Sequence, residues 1–231
     1  MKNQWFGDMY DFRKYGLLEF LSCYYEHIVV SWMLTPDDSI YGIDIPKSPS
    51  ILSNIKSLIL QHRNIQYAID YFKAKDEDKF IFWEENLKPT TFYESRKQWN
   101  AELSKMEKLY NKKSLYFFDA DNGLSPTDCD KDEEKESKYI YQKEFQSKYE
   151  KGADILLYQH RQRSQSFKTM HQKVSEKLDK IQGPKKCICI KATGNVAFFL
   201  LCHDPDKIPF TDSIFKEKED NEYMSIYPPE N

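Results

Sequence analysis

The run Leu115-Tyr116-Phe117-Phe118-Asp119-Ala120-Asp121-Asn122-Gly123 decides the fold predicted for this sequence. Four large apolar residues followed by a turn-forming Asp-Asn-Gly sequence predict a short buried strand. The carboxylate of Asp119 then stands at the end of that strand, where burial is costly unless the group binds something. Open α/β sheets bind ligands outside the carboxyl ends of their strands. The run therefore predicts a core strand and a candidate site, and an ordinary turn is the alternative interpretation.

Helical and strand patterns alternate on both sides of this run. The other predicted elements are helices over residues 11–27, 50–61, 64–72, 95–109, 139–151 and 162–181, and strands over residues 28–34, 79–83, 155–158, 186–191 and 196–202. We expect the first of these helices to be capped near Asp11. The last two strands are joined by Ala192-Thr193-Gly194-Asn195, which favours an antiparallel hairpin. This alternation predicts an α/β domain with a mainly parallel sheet and one reversed strand at its end.

Length and composition favour one domain. A chain of 231 residues with 15% aromatic residues can build a single large core. We expect one domain over residues 1–205 with a helical insertion at about residues 50–75, a mobile charged loop at residues 126–138 and a charged tail over residues 206–231. No apolar run approaches the roughly 18 residues of a membrane span, so we expect a cytoplasmic protein without a membrane partner.

The charge is unevenly distributed. A formal net charge of −3 gives the whole molecule no attraction to nucleic acid. Residues 161–191, however, carry nine lysines and arginines against Glu176 and Asp179. This basic segment predicts a surface for the phosphates of a nucleic acid or nucleotide. A solvated lysine-rich helix face is the alternative interpretation.

Two other predicted strand ends carry candidate residues. Asp37 and Asp38 follow the strand over residues 28–34, where a helix cap or a turn is the alternative. Gln159-His160-Arg161 follows the strand over residues 155–158, and His160 is the candidate there because a histidine with an ordinary pKa of about 6.5 suits proton transfer at neutral pH. Five cysteines form no CxxC pair and seven glycines form no GxG, which disfavours a zinc ribbon, a dinucleotide fingerprint and a P-loop.

Three motifs resemble those of a set of uncharacterised bacterial proteins. They are Gly7-Asp8-Met9-Tyr10-Asp11-Phe12-Arg13-Lys14-Tyr15-Gly16-Leu17-Leu18, Trp32-Met33-Leu34-Thr35-Pro36-Asp37-Asp38 and Phe118-Asp119-Ala120-Asp121-Asn122-Gly123. In that set the third motif usually reads F-D-P-D-N-G. The likeness covers most of the chain and implies no activity.

More distantly, the layout is similar to the adenine-N6 methyltransferases that modify bacterial large-subunit ribosomal RNA. Their opening G-N-x-A-D-V-x-K-H segment is partly matched by Gly7, Asp8, Asp11 and Lys14. Their catalytic D-P-P-Y tetrapeptide follows a hydrophobic strand, where this chain has Asp119-Ala120-Asp121-Asn122. A reversed final strand completes their sheet.

That resemblance implies a single Rossmann-like three-layer domain with S-adenosylmethionine as cofactor. It also implies that Asp119 accepts a hydrogen bond from the target amino group. The chain departs from the family at two places. Thr35-Pro36-Asp37-Asp38 replaces the glycine-rich loop, and Ala120-Asp121-Asn122 replaces the Pro-Pro-Tyr that orients the adenine.

Three functions remain open at this point. The first is a methyltransferase-like enzyme acting on nucleic acid or a nucleotide. Its catalytic residues would be Asp119, Asp121, Asn122 and His160, and its cofactor-binding residues Asp8, Lys14, Asp37 and Asp38. The second is a nuclease or phosphohydrolase in which Asp37, Asp119 and Asp121 hold Mg²⁺ or Mn²⁺. The third is a methyltransferase-like scaffold that binds a partner without cofactor.

Overall fold

The structure is a computed structural model that describes residues 6–33, 64–82, 92–126, 138–162, 164–181, 186–192, 195–209 and 224–227. The helices are α1 (Met9–Leu21), α2 (Gln66–Lys75), α3 (Phe92–Leu109), α4 (Gln142–Glu150) and α5 (Phe167–Leu178). The strands are β1 (His27–Trp32), β2 (Phe80–Phe82), β3 (Ser114–Asp119), β4 (Gly123–Leu124), β5 (Tyr139–Ile140), β6 (Asp154–His160), β7 (Lys186–Lys191), β8 (Val196–Cys202) and β9 (Ser225–Tyr227).

Seven of these strands form one mixed sheet in the order β2-β1-β3-β6-β8-β7-β9. Strands β2, β1, β3 and β6 are parallel, whereas β8 runs antiparallel to both β6 and β7. The predicted α/β class with a mostly parallel sheet is confirmed. The reversed strand does not close the sheet as predicted, since β8 lies between β6 and β7 and β9 pairs antiparallel beyond β7.

Both faces of the sheet are covered. Side chains alternate between faces along a strand, and Val30 accordingly packs with α1 and α2 while Val29 packs with α3, α4 and α5. All six residues of β3 are buried. Burial on both faces explains why the central strands read as continuous apolar runs, without the alternation of a half-exposed strand.

Helix α1 begins earlier than its pattern predicts. Asp8 is the N-cap, and its Oδ1 accepts hydrogen bonds from the backbone N–H groups of Tyr10 and Asp11 at 2.8 and 2.9 Å. The expectation that Asp11 caps this helix is therefore wrong. The Asp11 side chain lies in the first turn, is buried, and accepts a hydrogen bond from Gly7 N at 2.8 Å.

Two predicted helices begin too early. The one over residues 139–151 starts only at Gln142, because Tyr139 and Ile140 form β5 and pair in parallel with β4. The one over residues 162–181 is α5, where the side chain of Ser166 caps the helix by accepting from Thr169 N. The helix predicted over residues 50–61 and most of the charged loop over residues 126–138 lie outside the described residues.

Candidate functional site

The carboxyl ends of β1 and β3 meet at a topological switch point. From β1 the chain goes to β2 on one side and then to β3 on the other, so the strand order reverses there. Trp32 and Asp119 are register partners, and Met33 N donates to Asp119 O at 3.3 Å. Open α/β sheets bind ligands in the crevice at such a point.

A group of charged side chains from α1 and β3 fills this point. We define Asp8, Asp11, Lys14 and Asp119 as the acid–lysine cluster. Lys14 Nζ donates to Asp119 Oδ2 at 2.8 Å and to Asp11 Oδ1 at 3.0 Å. The same ammonium lies 4.3 Å from the ring centroid of Tyr158, at the end of β6. Two sequence motifs far apart in the chain thus share one buried ion pair.

Negative charge predominates in this cluster. Burial raises the pKa of Asp119 above its ordinary value despite the opposing effect of Lys14, and burial likewise raises the pKa of Asp11 to about 6 and that of Asp8. Burial alone would lower the pKa of Lys14, but the carboxylates of Asp119 and Asp11 outweigh it and raise that pKa well above its ordinary value. The cluster therefore favours an additional proton or a cationic group.

Two buried donors beside the cluster have no hydrogen-bond partner among the described residues. They are the Tyr15 hydroxyl and Trp32 Nε1, whose rings pack edge to face with centroids 6.5 Å apart. Burial raises the pKa of Tyr15, and the charges of Asp11 and Asp119 raise it further, so the phenol lies within the field of the cluster. An unsatisfied buried donor costs free energy, which makes both groups candidate ligand contacts.

The turn after β3 is fixed to β6 by one side chain. Gln159 Oε1 accepts from Leu124 N at 2.9 Å, and its Nε2 donates to Asn122 O at 2.8 Å. Gly123 occupies this turn with φ +86°, and its N donates to Ala120 O at 3.2 Å. The predicted alternative of a turn is thus correct for the backbone of residues 120–123, while Asp119 itself remains in the strand.

A cavity of about 340 Å³ opens beside this turn, at the carboxyl end of β6 and against α5. Asn122 and His160 line it together with Lys173 and Lys177. The His160 ring also packs edge to face on Tyr10 of α1, with centroids 6.5 Å apart. Burial lowers the pKa of His160, so its imidazole is neutral at pH 7 and can exchange hydrogen bonds without carrying charge.

The structure brings the predicted site residues into two groups. Asp8, Lys14 and Asp119 meet in the acid–lysine cluster, whereas Asn122 and His160 face the cavity. Asp121 is half-buried and lies within the electrostatic reach of His160. Asp37 and Asp38 lie outside the described residues.

No site role was predicted for Asp11 or Tyr15. Gln159 lies at the predicted strand end over residues 159–161, where its side chain joins the turn after β3 to β6. Within the described ranges, no three His, Cys, Asp or Glu side chains are grouped so that they could hold a metal ion.

Comparison with known proteins adds no relative. No protein-family model, curated protein or solved structure matches the chain. In the described part of the chain, no helix combines the length and the apolar character needed to cross a membrane. The function must therefore be inferred from the geometry and charge of the site itself.

Proposed function

We propose that this chain is a Rossmann-like three-layer domain that transfers a methyl group from S-adenosylmethionine to an amino group of a nucleic acid or nucleotide. The observation that carries the proposal is the 2.8 Å contact between Lys14 and Asp119, which are 105 residues apart in the chain. These two residues belong to the two motifs that resemble the methyltransferases. Their meeting at the switch point supports a ligand site there.

The charge of the cluster suits this cofactor. S-adenosylmethionine carries a sulfonium and an ammonium group, and it supplies an electrophilic methyl group when bound. Among the described residues of the acid–lysine cluster, Asp8, Asp11 and Asp119 provide three carboxylates against the ammonium of Lys14. The unpaired donors of Tyr15 and Trp32 could bind its carboxylate or adenine nitrogens. These residues fit the cofactor, with the Asp8 end of α1 only half-buried.

The sheet gives the proposal further support. The resemblance implies a mostly parallel sheet that contains a reversed strand, and β8 runs antiparallel to its neighbours β6 and β7, although it lies inside the sheet and not at its end. Helices pack on both faces of the sheet, as a three-layer domain requires. The substrate would approach from the rim formed by Asp121, Asn122 and His160, and the basic residues 161–191 would hold its phosphates.

One observation favours a second candidate, a methyltransferase-like protein that binds a partner without cofactor. Asp119 is 1% exposed, and one of its two carboxylate oxygens, Oδ2, already accepts from Lys14. A metal-dependent nuclease or phosphohydrolase has less support, because Asp119 would have to exchange an ammonium for a metal ion. Asp37 of that ligand set lies outside the described residues.

Isothermal titration calorimetry with S-adenosylmethionine tests the proposal. We expect the wild type to bind, and Asp119→Asn to bind about tenfold more weakly, since a charge-assisted contact is lost. Asp206→Asn makes the same chemical change at an exposed residue and should bind like the wild type.

Three results would contradict or redirect this proposal. No heat at millimolar cofactor would remove it. Equal affinity of Asp119→Asn and Asp206→Asn would move the cofactor away from the acid–lysine cluster. Cleavage of labelled RNA or DNA that requires Mg²⁺ or Mn²⁺ would favour the nuclease instead.

A further inference from the structure

The cavity beside α5 lies on the opposite face of the sheet from the acid–lysine cluster. Its apolar wall includes Met170 and Val174, which pack with the α3, α4 and α5 side, whereas Tyr158 beneath Lys14 packs with the α1 side. His160 joins the two regions, since it lines the cavity and contacts Tyr10 of α1. A ligand in this cavity would therefore reach His160, at the same edge of the sheet as the acid–lysine cluster.

The cavity has a positively charged wall. Lys173 and Lys177 are four residues apart on α5, a spacing that puts both side chains on one helix face, and Lys180 follows just past the end of the helix. Lys177 Nζ donates to Ser125 O at 2.8 Å and so holds α5 against the turn after β4. Lys173 and Lys180 are exposed and make no ion pair with any residue in the described ranges.

One acidic side chain, Glu176, lines the same cavity, and its Oε1 accepts from Gln172 at 2.8 Å. Among the described residues that line the cavity, three ammonium groups face one carboxylate, which leaves a surplus of positive charge. Lys173 and Lys180 can therefore bind an anion without giving up an ion pair to any residue in the described ranges. Phosphate is an anion that neighbouring lysines commonly bind.

The remaining walls carry groups that can recognise a base. Gln162 and Gln165 each present both a donor and an acceptor, the pair that hydrogen-bonds the edge of a nucleobase. The ring of Tyr139 also lines the cavity and offers a surface for stacking. A volume of about 340 Å³ is at the small end of ligand sites, which span about 300–1,000 Å³.

We infer that this cavity binds a single nucleotide unit, with its phosphate on Lys173 and Lys180 and its base toward Gln162, Gln165 and Tyr139. The inference rests on the proposed function, which supplies the reaction. It adds that one nucleotide unit of the substrate binds in this cavity. A free nucleotide and one residue of a polynucleotide present the same chemistry to the cavity.

Fluorescence anisotropy with a short labelled single-stranded RNA tests the inference, with adenosine monophosphate as competitor. The cavity variant is Lys173→Ser with Lys180→Ser, and Lys177 is kept because it holds Ser125. The control variant is Lys108→Ser with Lys112→Ser, which removes the same charge from exposed positions that neither line the cavity nor belong to the basic segment 161–191. Matching unfolding midpoints establish that both variants fold.

We expect the cavity variant to bind RNA about tenfold more weakly than the control, with a salt dependence of log K that is shallower by about two. If adenosine monophosphate competes with the RNA, the ligand of the cavity is a free nucleotide. If it does not compete, the ligand is one nucleotide unit of a strand. Equal binding by the two variants, or no binding of either probe to the wild type at low salt, would overturn the inference.

Calorimetry with S-adenosylmethionine on the same variants separates the two proposals. The cavity variant should retain the cofactor heat, because the acid–lysine cluster is on the other face of the sheet. A chain that binds RNA through the cavity but gives no heat with S-adenosylmethionine would keep this inference and lose the proposed function.

Discussion

Two buried aspartates at opposite ends of neighbouring strands have very different surroundings. Asp154 begins β6 and is 3% exposed, and Asp119 ends β3 and is 1% exposed. Asp154 Oδ2 accepts from the Tyr25 hydroxyl at 2.7 Å and from Lys207 Nζ at 3.1 Å, and its Oδ1 accepts from His203 N at 2.9 Å. Several donors thus serve one carboxylate.

At the carboxyl-terminal end of the sheet, by contrast, several carboxylates share one ammonium donor. Asp119 shares the single ammonium of Lys14 with Asp11, and Asp8 adds a third carboxylate. A buried carboxylate that accepts hydrogen bonds on both oxygens contributes to stability, because all of its donors are present in the folded chain. Carboxylates that outnumber their donors are costly without a ligand, so the comparison separates a structural anchor from a candidate site.

The largest effect is expected at the anchor. Asp154→Ala leaves the Tyr25 hydroxyl and the Lys207 ammonium without their acceptor and should lower the free energy of unfolding by about 4–5 kcal/mol. Urea denaturation at pH 7 measures this loss. Asp206→Ala, an exposed neighbour, should be close to the wild type. A similar small loss in both variants would mean that Asp154 is not an anchor.

Removing the ammonium of Lys14 should have the next largest effect. Lys14→Met takes from the buried Asp11 and Asp119 the ammonium that both carboxylates share and should cost about 3–4 kcal/mol at pH 7. The cost should be smaller at pH 5, because the two carboxyls can then be protonated. Urea denaturation at both pH values measures it, with the exposed Lys108→Met as control. A loss independent of pH would contradict the electrostatic explanation.

The acid–lysine cluster should also make stability depend on pH in a characteristic direction. The pKa of Asp11 is raised from 3.8 to about 6 by burial, so the folded chain binds more protons than the unfolded chain between about pH 4 and pH 6. The contribution of Asp11 to the free energy of unfolding therefore falls as pH rises through this window, by at most about 3 kcal/mol.

Asp11→Asn removes this titration while keeping an acceptor for Gly7 N. We expect the variant to gain stability relative to the wild type as pH rises from 4 to 6. Unfolding midpoints at intervals across that range measure the difference. The stability of Asp206→Asn should depend on pH as that of the wild type does. The same pH dependence in Asp11→Asn would show that the pKa of the Asp11 carboxyl is not raised.

The strands differ in how well the sequence predicts them. Strands β7 and β8 span the predicted residues, because long β-rich runs buried on both faces carry their own signal. Strand β5 was predicted as the first turn of a helix, since Tyr139 and Ile140 become a strand only through their distant partners Gly123 and Leu124. The three-residue β9 likewise depends on pairing with β7.

The residues of the candidate site likewise divide into those that a local pattern predicts and those that depend on distant contacts. Asp119 was found from its position after an apolar strand, a local pattern. Lys14 and Asp8 were reached only through the resemblance, because the residue that Lys14 contacts at the end of β3 is 105 residues away in the chain. Asp11 was predicted as a cap, since spacing along α1 does not reveal which acid faces inward. Which carboxylates share one lysine is a property of packing that no local pattern contains.

The smallest predicted effect compares one glycine from each end of the sheet. Gly123 and Gly152 both have a positive φ, +86° and +103°, so an alanine is strained at either position. An added Cβ at Gly123 would also lie 2.5 Å from Gln159 Oε1 and 2.7 Å from the backbone oxygen of Tyr158. At Gly152 it would meet Lys112 Cγ at 3.1 Å, which a flexible exposed side chain can relieve.

We expect Gly152→Ala to cost about 1 kcal/mol and Gly123→Ala about 2–3 kcal/mol, since the second clash involves backbone and a hydrogen-bonded amide. Thermal unfolding of the two variants measures the difference. The Gly123 variant should also bind RNA more weakly, because Gln159 and Asn122 shape the cavity wall. Equal costs would mean that the turn after Asp119 can move away from β6, and the cavity would then not be a fixed feature of the fold.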